Sequence, residues 1–396
     1  MKGLQQHARS ICIFGHVRWL CLLLTGALAF SYVTIPTRRD VLRPSQTANA
    51  SPLRMVGEDG SYPCKTLKKD TVLVTVVQSD ARRIEDLANA DEVVQENLQR
   101  MLAIGEQACS EGPSPDIMLF HEFPLTGYVN GDREWKLQIA LEIPGAETKA
   151  LGEFAKRHST YVIFGGYVKE KDWPGHVLSI ATIIDPNGEV VKKVWKPKNI
   201  KRFYENFELT TTTVESVRDR FRDLYGEDEE LPIVQTEFGN IAVTTVQLDP
   251  FIFAAYAMKG AEIMLRLSTL YYRSDVIHTA MANDMYSAMA NIPVEEHSPY
   301  AVHGGESLVV SPKGEILAQV ESKTEEGFAT AEIPIRKFRE GRSLPQFPLT
   351  LTNPVFSQYR EEIPPNHMDL PEEELPKDGK AMKELLDNAS RWLKNK

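Results

Sequence analysis

The sequence predicts an α/β domain, and three observations carry that expectation. Short apolar, β-branched runs alternate with longer stretches of helical spacing along most of the chain. Two pairs of alternating runs close on strong turn chemistry, at Asp185-Pro186-Asn187-Gly188 and Pro312-Lys313-Gly314. Glycine and proline punctuate the ends of the helical stretches. In chain order, "TVLVTVVQ" (71–78) is a continuous apolar run and reads as a buried strand. "ADEVVQENLQRMLAIGEQACSEG" has helical spacing and stops at Gly112 before Pro113. "DIMLFHEF" is a second buried strand, "GAETKALGEFAKRH" a helix and "TYVIFGGYV" a third strand. "SIATIIDPNGEVVKKVWK" is a hairpin, followed by a charged and partly helical stretch over 199–232. "NIAVTTVQLDPFIFAAYAMKG" is a strand, a sharp turn and a helix to Gly260, and "EIMLRLS" is the next strand. "DVIHTAMANDMYSAMANI" reads as one helix and "ESLVVSPKGEILAQV" as another hairpin. The expected domain covers 65–345, and 346–396 is a Pro- and acid-rich extension ending in an amphipathic helix, "KAMKELLDNASRWLKNK".

Composition narrows the function classes. The 396 residues are 42% hydrophobic and 25% charged, an ordinary globular balance with ample core. The net charge of −10 carries no long basic run, so a nucleic-acid partner is not expected. The cysteines, Cys12, Cys21, Cys64 and Cys109, have neither metal-ligand nor disulfide-framework spacing. No metal or other cofactor is expected.

Residues 1–64 are unlike the rest. No acidic residue occurs from Met1 to Arg39, and Lys2, Arg9 and Arg18 precede the apolar run "WLCLLLTGALAFSYV". That run has the length of a signal-peptide core and is short for a membrane span. The basic, hydroxyl-bearing stretch after it is similar to a transit peptide, and the whole resembles the bipartite presequences of algal complex plastids. Entry to the secretory pathway is therefore expected, with a plastid as one destination. The alternative is an uncleaved anchor, which would be the chain's sole membrane contact. Asn49-Ala50-Ser51 is a glycosylation triplet of a kind that arises often by chance.

Five segments in this order resemble the nitrilase superfamily of carbon–nitrogen hydrolases, especially its aliphatic amidase and formamidase branch: "IMLFHEFPLTGY", "EVVKKVWKPK", "YAMKGAEIMLR", "AMANDMYSAMAN" and "GESLVVSPKGEILA". The resemblance spans roughly 70–335. It implies a four-layer αββα sandwich that assembles into homo-oligomers, with a pocket for a small amide, nitrile or carboxylate. It also implies a chemistry: a thiolate attacks the amide or nitrile carbon, a glutamate relays protons, a lysine stabilises the developing charge, and water releases the acyl-enzyme.

The same resemblance assigns the first glutamate to Glu122 and the lysine to Lys196, with Glu205 in "FYENF" as the nearest candidate for a second glutamate. Taken alone, Glu122 would be a strand-end surface carboxylate. Lys196 competes with Lys192, Lys193 and Lys198 on a solvated strand face. His121 has no partner at metal-ligand spacing and reads as a packing or pocket-wall residue; Tyr128 rims the pocket or simply packs.

The departure is at the strand–turn–helix segment, where an α/β enzyme places a nucleophile. The family reads Cys-x-Asp-x-x-x-Pro-Glu there, and this chain has no cysteine after Cys109. Counting back without a gap from Gly260 through Pro250 sets Thr244 at the cysteine position. Counting forward from Gly239 sets Val246 there and needs a shorter turn. A threonine hydroxyl needs a strong adjacent base, and Thr244 and Thr245 otherwise read as β-branched residues packing mid-strand. Asp249 could activate a water while Gln247 orients an amide, or Asp249 could simply cap the helix that begins at Pro250. Catalysis by the covalent route is therefore expected to be impaired or altered, and the alternative is a pseudoenzyme serving as a binding or co-assembly subunit.

Overall fold

The computed structural model describes residues 56–129, 131–199, 210–294, 296–297 and 303–393. All of them lie in the unit Asn49–Lys396. The signal-like segment, the Asn49 triplet and Glu205 fall outside the described residues.

The first half runs β1 (Val72–Gln78), α1 (Ala90–Ser110), β2 (Ile117–Leu119), α2 (Arg133–Ile139), α3 (Ala146–His158), β3 (Tyr161–Val168), β4 (Leu178–Ile184) and β5 (Val190–Trp195). The second half runs α4 (Arg218–Tyr225), β6 (Val234–Thr236), β7 (Gly239–Thr244), α5 (Pro250–Met258), β8 (Ile263–Leu267), α6 (Arg273–Asn283), β9 (Tyr286–Ala290), β10 (Leu308–Val310), β11 (Ile316–Gln319) and β12 (Gly327–Ile333). Three helices close the chain: α7 (Ile335–Gly341), α8 (Leu349–Phe356) and α9 (Gly379–Ala389).

Two six-stranded sheets result, ordered β12-β1-β2-β3-β4-β5 and β11-β10-β9-β8-β7-β6. Side-chain alternation explains the layering. Val72, Val74 and Val76 of β1 and Ile117 and Leu119 of β2 share one core cluster with Ile241, Val243, Ile263, Leu265 and Leu267 of the other sheet. Val77 and Met118, on the opposite face, pack with Leu98, Met101, Leu151 and Phe154 of α1 and α3. On the far side, Ala242 and Met264 meet Phe253, Tyr256 and Ala257 of α5, while Met289 meets Val276 and Ala280 of α6. Helix, sheet, sheet and helix are stacked, the αββα order that the resemblance implied.

Several boundaries differ from expectation. The helix expected over 275–292 stops at Asn283, where Asp284 takes a left-handed φ of 44°, and 286–290 is strand β9. Its small apolar residues suit a strand buried on both faces as well as a helix, so periodicity could not separate the two. The strand expected over 116–123 is assigned only at Ile117–Leu119, although Phe120 and His121 keep backbone bonds to β3. β12 was not foreseen, because Thr330 and Glu332 interrupt its apolar residues on the exposed face. The extension is no loose tail: Met368, Leu375, Met382 and Leu386 are buried in the first core.

Candidate active site

Glu122 lies three residues beyond β2, where its backbone crosses β3 at Gly165. A Cβ on Gly165 would stand 2.4 Å from the Glu122 carbonyl oxygen, so only glycine permits this approach. Lys196 follows β5 directly, and its N–H donates to Ser179 O of β4 at 2.9 Å. These two strand ends bring Lys196 Nζ to 3.3 Å from Glu122 Oε1, with side chains 14% and 9% exposed. Ser179 Oγ donates to the same carboxylate oxygen at 3.5 Å, and Thr269 Oγ1, just past β8, donates to Oε2 at 2.9 Å. Both sheets thus hold one carboxylate.

The competing lysines are engaged elsewhere. Lys192 pairs with Glu229, Lys193 pairs with Glu170, and Lys198 lies 3.2 Å from Asp249. Burial alone would lower the Lys198 pKa, but Glu215 and Asp249 outweigh it and raise it. Asp249 also accepts the Ile252 N–H at 3.3 Å, capping α5 with Pro250 at its first position. The structure therefore brings Glu122 and Lys196 together and gives Asp249 two other partners.

The turn between β7 and α5 carries a feature that sequence reasoning missed. Leu248 has a left-handed φ of 57°, and it is the turn's only residue to do so. Thr244, the last residue of β7, accepts the Val246 N–H on its Oγ1 at 3.1 Å. Val246 is buried, and its carbonyl accepts from Arg266 Nη2 at 3.4 Å. The turn is held from below: Arg266, fully buried on β8, pairs with Asp275 and stacks 4.5 Å from the Phe253 ring. Arginine in the apolar run of β8 was the available signal.

Gln247 completes the cluster, with Nε2 donating to Ser268 Oγ at 2.6 Å and to Leu270 O. His121 is fully buried beside Glu122, and burial drives its pKa down to about 3, so the ring is neutral at pH 7. Its Nδ1 accepts the Phe123 N–H at 3.3 Å. Tyr167, whose ring stacks 4.3 Å from Phe123, is kept protonated by burial first and by Tyr128 and Glu122 second. Among the described residues no group of three or more His, Cys, Asp or Glu side chains could hold a metal ion. The arrangement offers a cation beside a carboxylate, with hydroxyl and amide groups around them and no thiol.

The sequence profile of the carbon-nitrogen hydrolase family matches residues 73–343. The omega-amidase NIT2 of Bos taurus is 27% identical over 233 residues, covering 57% of this chain and 76% of its own. A nitrilase of Pyrococcus abyssi is 28% identical over 246 residues, covering 60% and 81%. Among solved structures, a mutant of the Nesterenkonia AN1 amidase from the nitrilase superfamily aligns with a TM-score of 0.54 at 18% identity, over 74% of this chain and 100% of that one. The last likeness speaks to the fold alone.

Proposed function

This chain belongs to the carbon-nitrogen hydrolase family, also called the nitrilase superfamily, and from that premise we propose that it binds a small amide or carboxylic-acid derivative at Glu122 and Lys196 without forming an acyl-enzyme. The observation that carries this reading is the 3.3 Å Lys196–Glu122 contact, reinforced from the second sheet by Thr269. A buried, hydrogen-bonded cation–carboxylate pair is costly to keep as mere packing, and isosteric apolar residues often serve stability equally well. Lys196 would take the carbonyl oxygen of the ligand, while Glu122 would accept a proton or an N–H.

One feature supports the absence of covalent turnover. No cysteine follows Cys109 in the chain, and the turn after β7 supplies no thiol. Losing a catalytic nucleophile removes on the order of a millionfold in rate, about 8 kcal/mol. Water activation by Asp249 is disfavoured by its cap to Ile252 and its ion pair with Lys198. The plastid or secretory destination and homo-oligomeric assembly belong to the same proposal.

The test is a paired screen of the full chain. Hydrolysis is followed over small aliphatic amides, ω-amides of dicarboxylic acids and nitriles, and binding of the same compounds by calorimetry. Binding that disappears in Lys196→Met, with hydrolysis no faster than in Glu122→Gln, is expected. Turnover lost in Glu122→Gln would overturn the non-catalytic half of the reading.

A further inference from the structure

Helix α8 (Leu349–Phe356) contains no buried residue. From residue 348 to 361 every side chain is exposed except Thr352, which is half-buried. Among the described residues, every hydrogen bond made by residues 349–359 stays within 347–360. A ring contact ties the helix to the domain: Phe356 meets Phe251, the second residue of α5, edge-on at 5.2 Å. An isolated helix shorter than about 12–15 residues is marginal in water, and Pro354 removes a hydrogen bond from the interior of this one. Eight residues that bury nothing do not hold a helix by themselves. The single chain lacks the surface that covers α8.

The uncovered face is apolar. Leu351, Val355 and Tyr359 recur at four-residue spacing and form a stripe, with Leu349 and Phe356 beside it. Leu351 is 76% exposed, and Phe251, 65% exposed, carries the patch onto α5. At roughly 100–150 Å² for each of these six side chains, the patch offers about 600–900 Å². Monomers rarely expose so much contiguous apolar surface, and a standard interface takes about 800 Å² from each partner.

Charge selects the occupant. The chain carries −10, so its copies repel one another over most of their surface. Residues 347–359, "FPLTLTNPVFSQY", hold no charged side chain, and two copies can meet there without opposing like charges. An anionic lipid surface would be repelled by the same net charge. A twofold axis through the stripe would pack α8 on its counterpart and give each copy the cover it lacks.

We propose that the face formed by α8 and Phe251 is a twofold interface between two copies of this chain. This rests on the homo-oligomeric assembly proposed above and gives it a surface. Helix α8 lies beyond residues 73–343 that the family profile matches, so the interface belongs to this chain's own extension.

Sedimentation equilibrium of the full chain should give twice the 44.6 kDa mass of one copy. Leu351→Glu combined with Val355→Glu should weaken the dimer at least about hundredfold, because each copy would bury two unpaired charges. Phe251→Glu should weaken it at least about tenfold, and a glutamate in the first turn of α5 suits the helix dipole, so the fold is kept. Thr350→Glu sets the same charge on the far side of α8 and should change dimerisation less than about threefold. If the double variant does not fold, Phe251→Glu decides. A dimer that survives the α8 and Phe251 variants overturns the inference and leaves the homo-oligomer standing, most directly if Met281→Glu, at an exposed position on α6, breaks it. Loss of the dimer in Thr350→Glu to the same degree as in the double variant also overturns it. A monomeric parent overturns both the surface and the assembly. A monomeric chain that floats with phosphatidylcholine–phosphatidylglycerol vesicles, and no longer floats as the double variant, would give the surface to a membrane instead.

Discussion

The carboxylate of Asp275 accepts the Leu248 N–H at 2.9 Å and also pairs with the buried guanidinium of Arg266. One acidic side chain on α6 therefore fixes the left-handed residue of the turn and neutralises the charge beneath it. The turn is held by a network, not by its own sequence.

Asp275→Ala should destabilise the protein by about 3–5 kcal/mol, because it strands a buried cation and frees a turn N–H. Denaturant unfolding reads this directly. Arg266→Met combined with Asp275→Leu should recover most of the loss, since no charge is then left unpaired. A single variant no less stable than the parent would show that the network is idle.

The Glu122–Lys196 contact should be energetically coupled. Removing either partner leaves the other buried among hydroxyls, so the two single changes should not add. A double-mutant cycle with Glu122→Gln and Lys196→Met should give a coupling of about 1–2 kcal/mol by urea unfolding.

Cysteine scanning of the turn distinguishes its three positions. Thr244 and Val246 are buried, while Leu248 is partly accessible at the turn. In a background with Cys12, Cys21, Cys64 and Cys109 all changed to Ser, Leu248→Cys should react with iodoacetamide at least about tenfold faster than Thr244→Cys or Val246→Cys, because attack requires an accessible thiolate. A faster Val246→Cys would restore that position as the geometric equivalent of the nucleophile.

Acid should destabilise the fold through two buried imidazoles. Burial lowers the His121 pKa to about 3 and the His176 pKa to about 4. Both lie below the unfolded value of about 6.5, so between these limits the unfolded chain binds protons that the native chain does not. Stability is thus full above about pH 6.5 and falls as pH drops towards 4, by about 1.4 kcal/mol per pH unit for each group. Unfolding free energies measured from pH 7 to pH 4.5 should be shallower in slope for His121→Gln than for the parent.

Deleting residues 361–396 should leave an insoluble or unfolded product. The deletion removes Met368, Leu375, Met382 and Leu386 from the first core. At about 1.5–3 kcal/mol for each buried side chain, the loss approaches the whole stability of a typical domain. Leu386→Ala alone should cost about 2–4 kcal/mol.

What could be read from the chain follows from where the information is local. The strands β1, β3 and β8, the two hairpins and the cap at Asp249 announce themselves by composition and turn residues. The partnering of Glu122 with Lys196 was legible through resemblance, whereas the rejection of Lys192, Lys193 and Lys198 depends on Glu229, Glu170 and Asp249, which are distant in sequence. The φ of Leu248 was invisible because leucine gives no sign of a left-handed backbone; it is imposed by Asp275, 27 residues away. β12 was missed because exposed Thr330 and Glu332 break up its apolar run, and the partner that would have marked it as a strand, β1, lies at the opposite end of the domain.

That last pairing bears on how the protein is made. Val72 of β1 sits opposite Ile333 of β12, and Gln78 opposite Gly327. A ribosome releases β1 about 250 residues before its neighbour. Until then β1 has β2 on one side and a bare hydrogen-bonding edge on the other, lined with valine. The core cluster beneath the same sheet waits longer still, for Leu386. Synthesis at roughly 5–20 residues per second leaves that edge open for tens of seconds. The nascent chain therefore spends its translation as a template for wrong partners, and its yield in cells should track the supply of chaperones that shield such an edge more closely than it tracks the stability of the finished fold.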